Sequence, residues 1–375
     1  MFAYLDNSAT TKPCPEAVAA MTAALEQCWG NPSALYRFGM EAAHQLKTAR
    51  DQVAKALGAE PDRVFFTSGG TEADNWAIFS SIARMGKRGK HIITTAVEHH
   101  AVLNPMKRLE AQGFEVTYLA PDKEGRITLE ALREAIRKDT IFVSIMMVNN
   151  ETGAVMPIER MAKLVHRMAP DALFHTDAVQ GFMKVPFQAK TLGADLISIS
   201  SHKVHGPKGA GALYIRKGLP LPAFILGGGQ EGNYRSGTEA MPAICGFGAA
   251  CAAALPTLKE DLQHEHELKE RAIAAIEALP GVQVLGAHEA PHVLSASIPG
   301  VPTQNIINIL QDHGVCVSAG SACAKGHRSH VMEAMHLPGE VIDGAFRASF
   351  SRFTTEEEVD QLVEALNAVV QWKNR

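Results

Sequence analysis

Leu196-Ile197-Ser198-Ile199-Ser200-Ser201-His202-Lys203-Val204-His205-Gly206-Pro207-Lys208-Gly209 carries an apolar strand into a lysine and then into a Gly/Pro-rich turn. On either side of it, short β-branched or aromatic runs recur at Val64–Thr67, Ile92–Thr95, Phe114–Leu119, Ile141–Val148, Leu173–Thr176 and Ala212–Ile215. Between them lie Glu72–Arg84, the face Val102, Met106 and Leu109, and the face Leu129, Leu132 and Ile136, all at helical spacing. Strands alternating with helices predict an α/β fold: a mostly parallel seven-stranded sheet with helices on both faces.

Beyond this region Lys259–Arg271 is polar and reads as an exposed helix leading out of the domain. A smaller α+β pattern follows, with a strand near Val293–Ile298, a helix from Thr303, strands near Val315–Val317 and Phe346–Phe350, and a final helix from Thr355. The 375 residues exceed one ordinary core of roughly 100–200 residues, so two domains are expected. We place the large domain at 15–257 and the small one at 1–14 with 258–375.

The formal charge of -4 argues against a nucleic-acid partner, which needs a basic face. Six cysteines without a Cys-x-x-Cys pair fit a reducing, cytoplasmic compartment. Met1–Asp6 shows no basic segment leading into an apolar one, so no signal peptide is expected. The apolar stretch Ala243–Leu255 falls short of the ~20 residues of a membrane span and reads as a buried helix.

Five clusters could carry chemistry. Thr67-Ser68-Gly69-Gly70-Thr71-Glu72 joins a strand to a helix; its free backbone N–H groups suit a phosphate, although a plain capped turn explains it equally well. Glu98-His99-His100 follows another strand, and adjacent histidines invite a metal, but no further ligand set accompanies them. A ring stacked on a flat cofactor is the better use for His99. His264-Glu265-His266 reads as a solvated helix face. Asp177, after Leu173–Thr176, is either functional or a helix cap. Lys203 is, on its residue type alone, more often a surface charge. Asp177 and Lys203, however, follow strands expected side by side. Pyridoxal phosphate requires that pairing: a lysine for its aldehyde and a carboxylate for its pyridinium nitrogen. Finally, Cys323 lies among small residues beside Lys325, His327 and Arg328, where positive neighbours favour the nucleophilic thiolate. Cys245, Cys251 and Cys316 sit in apolar contexts. Gly227-Gly228-Gly229-Gln230-Glu231-Gly232 matches a dinucleotide motif literally, yet no βαβ unit surrounds it.

Together these clusters resemble the cysteine desulfurases (NifS/IscS-like) of the class V aminotransferases, fold-type I pyridoxal-phosphate enzymes. The resemblance runs through Tyr4–Thr11, Asn31-Pro32-Ser33, Ser68–Glu72, Asn149-Asn150-Glu151-Thr152-Gly153, Asp177–Gln180, Ser200–Gly209, Arg235–Glu239, Gly320–Cys323, Arg347–Phe350 and Thr355–Glu358. It implies that Lys203 binds the cofactor, Asp177 pairs with the pyridine nitrogen, and His99 stacks on the ring and helps move protons. Gln180 and Asn150 would contact the ring's hydroxyl side and the substrate. Gly70, Thr71, Ser200 and His202 would hold the phosphate, with Thr238 reaching the phosphate of a neighbouring subunit in a homodimer. Arg347 would bind the carboxylate of L-cysteine. Cys323 would take the sulfur as a persulfide for an acceptor protein in iron–sulfur cluster assembly or tRNA thiolation.

There are departures from the pattern. Ala324-Lys325-Gly326-His327-Arg328 leads straight into Ser329-His330-Val331, where many relatives have a hydroxyl residue after the cysteine and a longer loop. Tyr36 and Ala240 replace a common histidine and asparagine. Two other readings stand beside the desulfurase: a selenocysteine lyase or other class V aminotransferase, and a non-catalytic sulfur-relay scaffold.

Overall fold

The computed structural model describes residues 2–319 and 328–374. Strand β1 (Ala3–Tyr4) lies apart from the large sheet. That sheet contains β2 (Val64–Thr67), β3 (His91–Thr95), β4 (Glu115–Leu119), β5 (Thr140–Ser144), β6 (Leu173–Asp177), β7 (Leu196–Ser200) and β8 (Gly211–Ile215). Its order is β2-β8-β7-β6-β5-β3-β4, and only β8 runs against the others. The mostly parallel seven-stranded sheet expected from the sequence is therefore present.

Each strand divides its side chains between two cores, because successive residues point to opposite faces. Ile92, Phe142, Leu173, Leu196 and Leu213 enter one core with Trp76 and Ile78 of helix Gly70–Met85. Ile93, Val143, Phe174, Ile197 and Ala212 enter the other with Met161 and Val165 of helix Ile158–Met168. Burial on both faces is why the strands read as near-continuous apolar runs. Each fully buried Leu, Ile or Phe contributes about 1.5–3 kcal/mol over its exposed state.

A third core joins β9 (Gln283–Leu285), β10 (Val293–Ser297), β11 (Val315–Cys316) and β12 (Ala345–Ser349) to helices Leu258–Glu277, Thr303–Asp312 and Glu356–Lys373. The final helix starts on a capping box between Thr355 and Glu358, which satisfies two otherwise orphaned backbone donors. Ala3 and Leu5 belong to this core, and β1 pairs in parallel with β11. The chain's first residues thus reach the C-terminal body before the large sheet begins.

Two expectations need correcting. The strand expected over Ile141–Val148 ends at Ser144: Ile145 and Met147 N–H still reach the β6 carbonyls of His175 and Asp177, but the Met146 N–H turns to the Glu98 carboxylate (2.8 Å) instead of β3. Lys259–Arg271 is helical with one exposed face, as expected, but its other face is buried, so His264-Glu265-His266 is not a wholly solvated face. Glu265 and Lys269 are buried, Glu265 against the buried Lys184 (3.0 Å) and Lys269 against the Ala290 carbonyl (2.9 Å). Only His266 of the triplet is exposed. The helical run Met241–Glu277 is long and apolar enough to cross a bilayer by composition. Its apolar start instead packs on helices Pro15–Glu26 and Arg37–Leu57, through Met241, Cys245 and Ala250 against Ala24, Ala42 and Ala17. The sequence reading assigns no element to those two helices or to β9.

Candidate active site

The carboxyl ends of β2, β3, β5, β6 and β7 open on one cavity of about 240 Å³, the position where ligands collect on open α/β sheets. Gly70, Thr71 and Asp74 follow β2, His99 and His100 follow β3, and Asn150 and Glu151 follow β5. Asp177 ends β6, with Val179 and Gln180 beyond it, and Ser200, His202 and Lys203 come from the end of β7. Ser8, Ala9, His330 and Arg347 close the cavity from the N-terminal segment and the C-terminal body.

Lys203 stands on a tight turn, Ser201–Lys203, directly after β7. Its Nζ donates to the Ser8 carbonyl (2.6 Å) and the Ala9 carbonyl (2.8 Å). The segment bearing those carbonyls is fixed on both sides. Thr11 N–H donates to His202 O (2.9 Å), Asn7 Nδ2 to Ser349 O (2.9 Å) and Ser8 N–H to Ser349 Oγ (2.8 Å).

Asp177 lies on the strand beside Lys203's own, with Asp177 opposite Ser198 in the register. Burial pushes its carboxyl up, and the Val179 N–H (2.8 Å) and the Lys203 charge partly offset that. Behind it lies a polar layer. His175, two residues back and so on the same sheet face, bonds Ser198 Oγ (2.9 Å) and Ser144 Oγ (2.8 Å), and its Nε2 is 3.6 Å from Asp74 Oδ1. Burial takes His175 down to about 3, so it is neutral. Asp74, buried near Asp177, is held well above the usual carboxylate range by desolvation and by that neighbour.

His99 caps helix His100–Ala111 by accepting the Ala101 N–H at Nδ1 (3.1 Å). Burial, then Lys203, takes it down to about 4, so the imidazole is neutral with its hydrogen on Nε2. His202 is likewise down to about 4, from burial and then Lys203, and its Nδ1 meets Thr10 Oγ1 (3.2 Å). Arg347, in β12 and almost fully buried, donates from Nη1 to Asn150 O (2.7 Å) and from Nη2 to Asp6 Oδ1 (2.9 Å). Glu98 accepts the Thr95 hydroxyl (3.0 Å) and the Met146 N–H at Oε1, and burial pushes it up to about 8.

Ten residues expected from the sequence line this cavity: Gly70, Thr71, His99, Asn150, Asp177, Gln180, Ser200, His202, Lys203 and Arg347. Thr238 does not. It is exposed on the segment after Arg235, which forks onto Glu72 (2.6 and 3.1 Å). Cys323 lies outside the described residues. The second histidine, His100, packs on His330 with ring centroids 4.8 Å apart. No three His, Cys, Asp or Glu side chains gather to hold a metal among the described residues.

Sequence reasoning missed Ser8, Asp74 and Glu151. Asp74 had a usable signal, since it lies one helical turn after Gly70 and so shares its face. Ser8 acts through its carbonyl, which no side-chain pattern reveals. Glu151 is buried and accepts the Ser329 hydroxyl, which also caps helix His330–Ala334.

Residues 3–362 match the family described as Aminotransferase class-V. The chain belongs to that family. It is 41% identical to cysteine desulfurase IscS of Methanosarcina thermophila, over 98% of this chain and 92% of that one. A solved NifS-like protein superposes with a TM-score of 0.94 at 37% identity, covering 99% of this chain and 100% of the other. SspA in complex with cysteine superposes at 0.79 with 32% identity, over 94% and 100% of the two chains. Within the family the chain groups with the cysteine desulfurases.

Members of this family depend on pyridoxal phosphate, and the cavity fits that group. Helix Gly70–Met85 points its amino terminus at the cavity, where unpaired N–H groups and the helix dipole favour a phosphate. A Cβ on Gly70 would lie 2.6 Å from Val179 Cγ2, so the backbone there stays bare. Ser200 Oγ is buried without a hydrogen-bond partner among the described residues. The same cavity holds an acid for a ring nitrogen in Asp177 and an amine for an aldehyde in Lys203.

Proposed function

We propose that this cavity removes sulfur from L-cysteine, with Lys203 holding pyridoxal phosphate and Cys323 receiving the sulfur. The observation that carries the reading is the pairing of Asp177 and Lys203 at neighbouring strand ends, in a cavity also lined by His99 and Arg347. Gly70, Thr71, Ser200 and His202 would hold the phosphate, Asp177 the ring nitrogen, and Gln180 and Asn150 the ring's hydroxyl side. When bound, the cofactor withdraws electrons from the substrate's α-carbon.

The remaining work falls to the chain. Arg347 binds the substrate carboxylate, which its planar fork matches. His99, with Nδ1 committed to its helix, has Nε2 left to hold or give a proton. Lys203 Nζ, kept in place by two carbonyls, would be the amine that holds the cofactor and stands ready to hold or give a proton beside the substrate. The Cys323 thiolate forms a bond to the substrate sulfur as the substrate's C–S bond breaks. Those bond electrons stay with the carbon skeleton, which takes up a proton and leaves as L-alanine, and the sulfur remains as a Cys323 persulfide.

The same reading makes the protein a homodimer in which Thr238 serves the partner's phosphate. Its exposure, its absence from the cavity lining, and the exposed Trp29, Leu35, Tyr36 and Met40 support this. A cytoplasmic acceptor protein, in iron–sulfur assembly or tRNA thiolation, would take the persulfide sulfur. The reducing compartment is supported by Cys14, Cys28, Cys245, Cys251 and Cys316, all free thiols.

The test is sulfide and alanine formed from L-cysteine under reductant, comparing wild type with Cys323→Ala and Lys203→Ala. Cys323→Ala should lose sulfide release while keeping the visible absorbance of the bound cofactor; Lys203→Ala should lose that absorbance. Undiminished release from Cys323→Ala would end the thiolate reading, and a persisting lysine-type absorbance in Lys203→Ala would end the lysine assignment.

A further inference from the structure

His292 immediately precedes β10, is almost completely buried, and does not line the cavity. Its Nε2 lies 3.2 Å from Gln180 Oε1, and Gln180 Nε2 donates to Ser8 O at 2.8 Å. Ser8 O is the carbonyl that also receives Lys203 Nζ. A carbonyl can only accept, so the Gln180 amide must turn its NH2 toward Ser8 and its oxygen toward His292. That oxygen in turn requires a donor, which fixes His292 as the tautomer with hydrogen on Nε2. Its Nδ1 is buried without a hydrogen-bond partner among the described residues, as expected of a nitrogen that carries no hydrogen. The ring is held from its backbone as well, since Phe350 N–H donates to His292 O (3.0 Å). Burial, together with Lys184, Lys269, Arg347 and Lys203, keeps the imidazole uncharged.

We infer that His292 is a positioning residue: by donating to Gln180 Oε1 it locks the amide so that one Gln180 N–H bonds Ser8 and the other faces the cofactor's ring oxygen. The inference rests on the proposed placement of Gln180 against that oxygen. Without His292 the Gln180 oxygen loses the donor it has among the described residues, and the amide can rotate to offer an acceptor where the ring oxygen needs a donor. Glutamine is the conservative replacement, because its amide nitrogen reaches about as far along the side chain as Nε2 of histidine.

A donor to the anionic ring oxygen favours its deprotonated form, so losing that donor raises the pH midpoint at which the lysine-bound cofactor changes its visible absorbance. The experiment titrates this absorbance in the pyridoxal-phosphate-loaded wild type, His292→Leu, His292→Gln, Gln180→Leu and the double variant His292→Leu/Gln180→Leu. Thermal unfolding checks that each is folded. We expect His292→Leu and Gln180→Leu each to raise the midpoint by about one pH unit, the scale of one charge-assisted hydrogen bond. The double variant should move no further, and His292→Gln should stay near wild type. A wild-type midpoint in His292→Leu, alongside a shifted one in Gln180→Leu, overturns the role of His292 alone. An unmoved midpoint in Gln180→Leu overturns the placement of Gln180 itself, and the inference with it. Equal shifts in His292→Gln and His292→Leu would reduce His292 to packing and overturn the inference too.

Discussion

Replacing Arg347 by lysine separates charge from geometry at the proposed substrate end of the cavity. The guanidinium is almost fully buried and reaches two places at once, Asn150 O at 2.7 Å and Asp6 Oδ1 at 2.9 Å. A lysine keeps the positive charge but offers one nitrogen where arginine offers a planar pair. It cannot hold Asn150, meet Asp6 and fork onto a carboxylate together. Loss of one charge-assisted hydrogen bond costs about 1.5–3 kcal/mol, which lowers kcat/KM by roughly 10- to 150-fold. Because the lost bond holds substrate before and during the reaction, most of the change should fall on KM. Steady-state alanine formation from L-cysteine measures both constants, and unchanged visible absorbance confirms that the cofactor is bound. A kcat/KM within twofold of wild type would refute the reasoning, because a site built on the fork cannot tolerate its loss so cheaply.

Other consequences can be checked with single substitutions. Gly70→Ala places a Cβ 2.6 Å from Val179 Cγ2; relieving that overpacking must shift the helix's first N–H groups, so pyridoxal phosphate should bind about tenfold more weakly, on the scale of one displaced hydrogen bond. An unchanged dissociation constant would show that Gly70 is not part of the phosphate cradle, since helix propensity alone favours alanine. Glu98 has its folded pKa raised to about 8 by burial, so its stabilising contribution is complete below the unfolded value near 4.5 and is lost as pH rises through about 8. The thermal midpoint of wild type should therefore fall more between pH 6 and pH 9 than that of Glu98→Gln; parallel declines would count against a protonated Glu98.

The sheet was legible because both of its faces are covered, which writes each strand as an apolar run bounded by polar clusters. The site was legible for a related reason: in parallel α/β units the functional side chains follow strand ends, so Gly70, His99, Asp177 and Lys203 each stand at a visible break. What escaped depends on contacts between distant parts of the chain. Glu265 looks exposed within its own helix but is buried against the rest of the fold, where Lys184 meets it (3.0 Å). His292 sits in Ala290-Pro291-His292, which has no pattern to mark it, and its meaning comes from Gln180, 112 residues earlier. Ser8 and Ala9 serve Lys203 through backbone carbonyls, and a carbonyl leaves no trace in residue type.

The electrostatics of the cavity explain why so many ionisable groups can be gathered there. An unpaired buried charge is costly, and a buried group without a partner shifts toward its neutral form instead. Burial raises Asp74, Glu98 and Glu151 and lowers His99, His175, His202 and His292. Both sets are thus pushed toward forms that carry no charge; Asp74, Glu151, His99 and His202 line the cavity, while Glu98, His175 and His292 do not. Arginine, by contrast, keeps its charge at any ordinary pH, and Arg347 is held at the proposed substrate end by Asn150 and Asp6. The proposed phosphate end would rely on backbone amides and the helix dipole, which attract an anion without adding a titratable group. An anionic ligand in the proposed arrangement would therefore meet fixed attraction at both ends. The proton that must move during the reaction is left to His99 and Lys203, the basic groups beside the reacting atoms in the proposed arrangement.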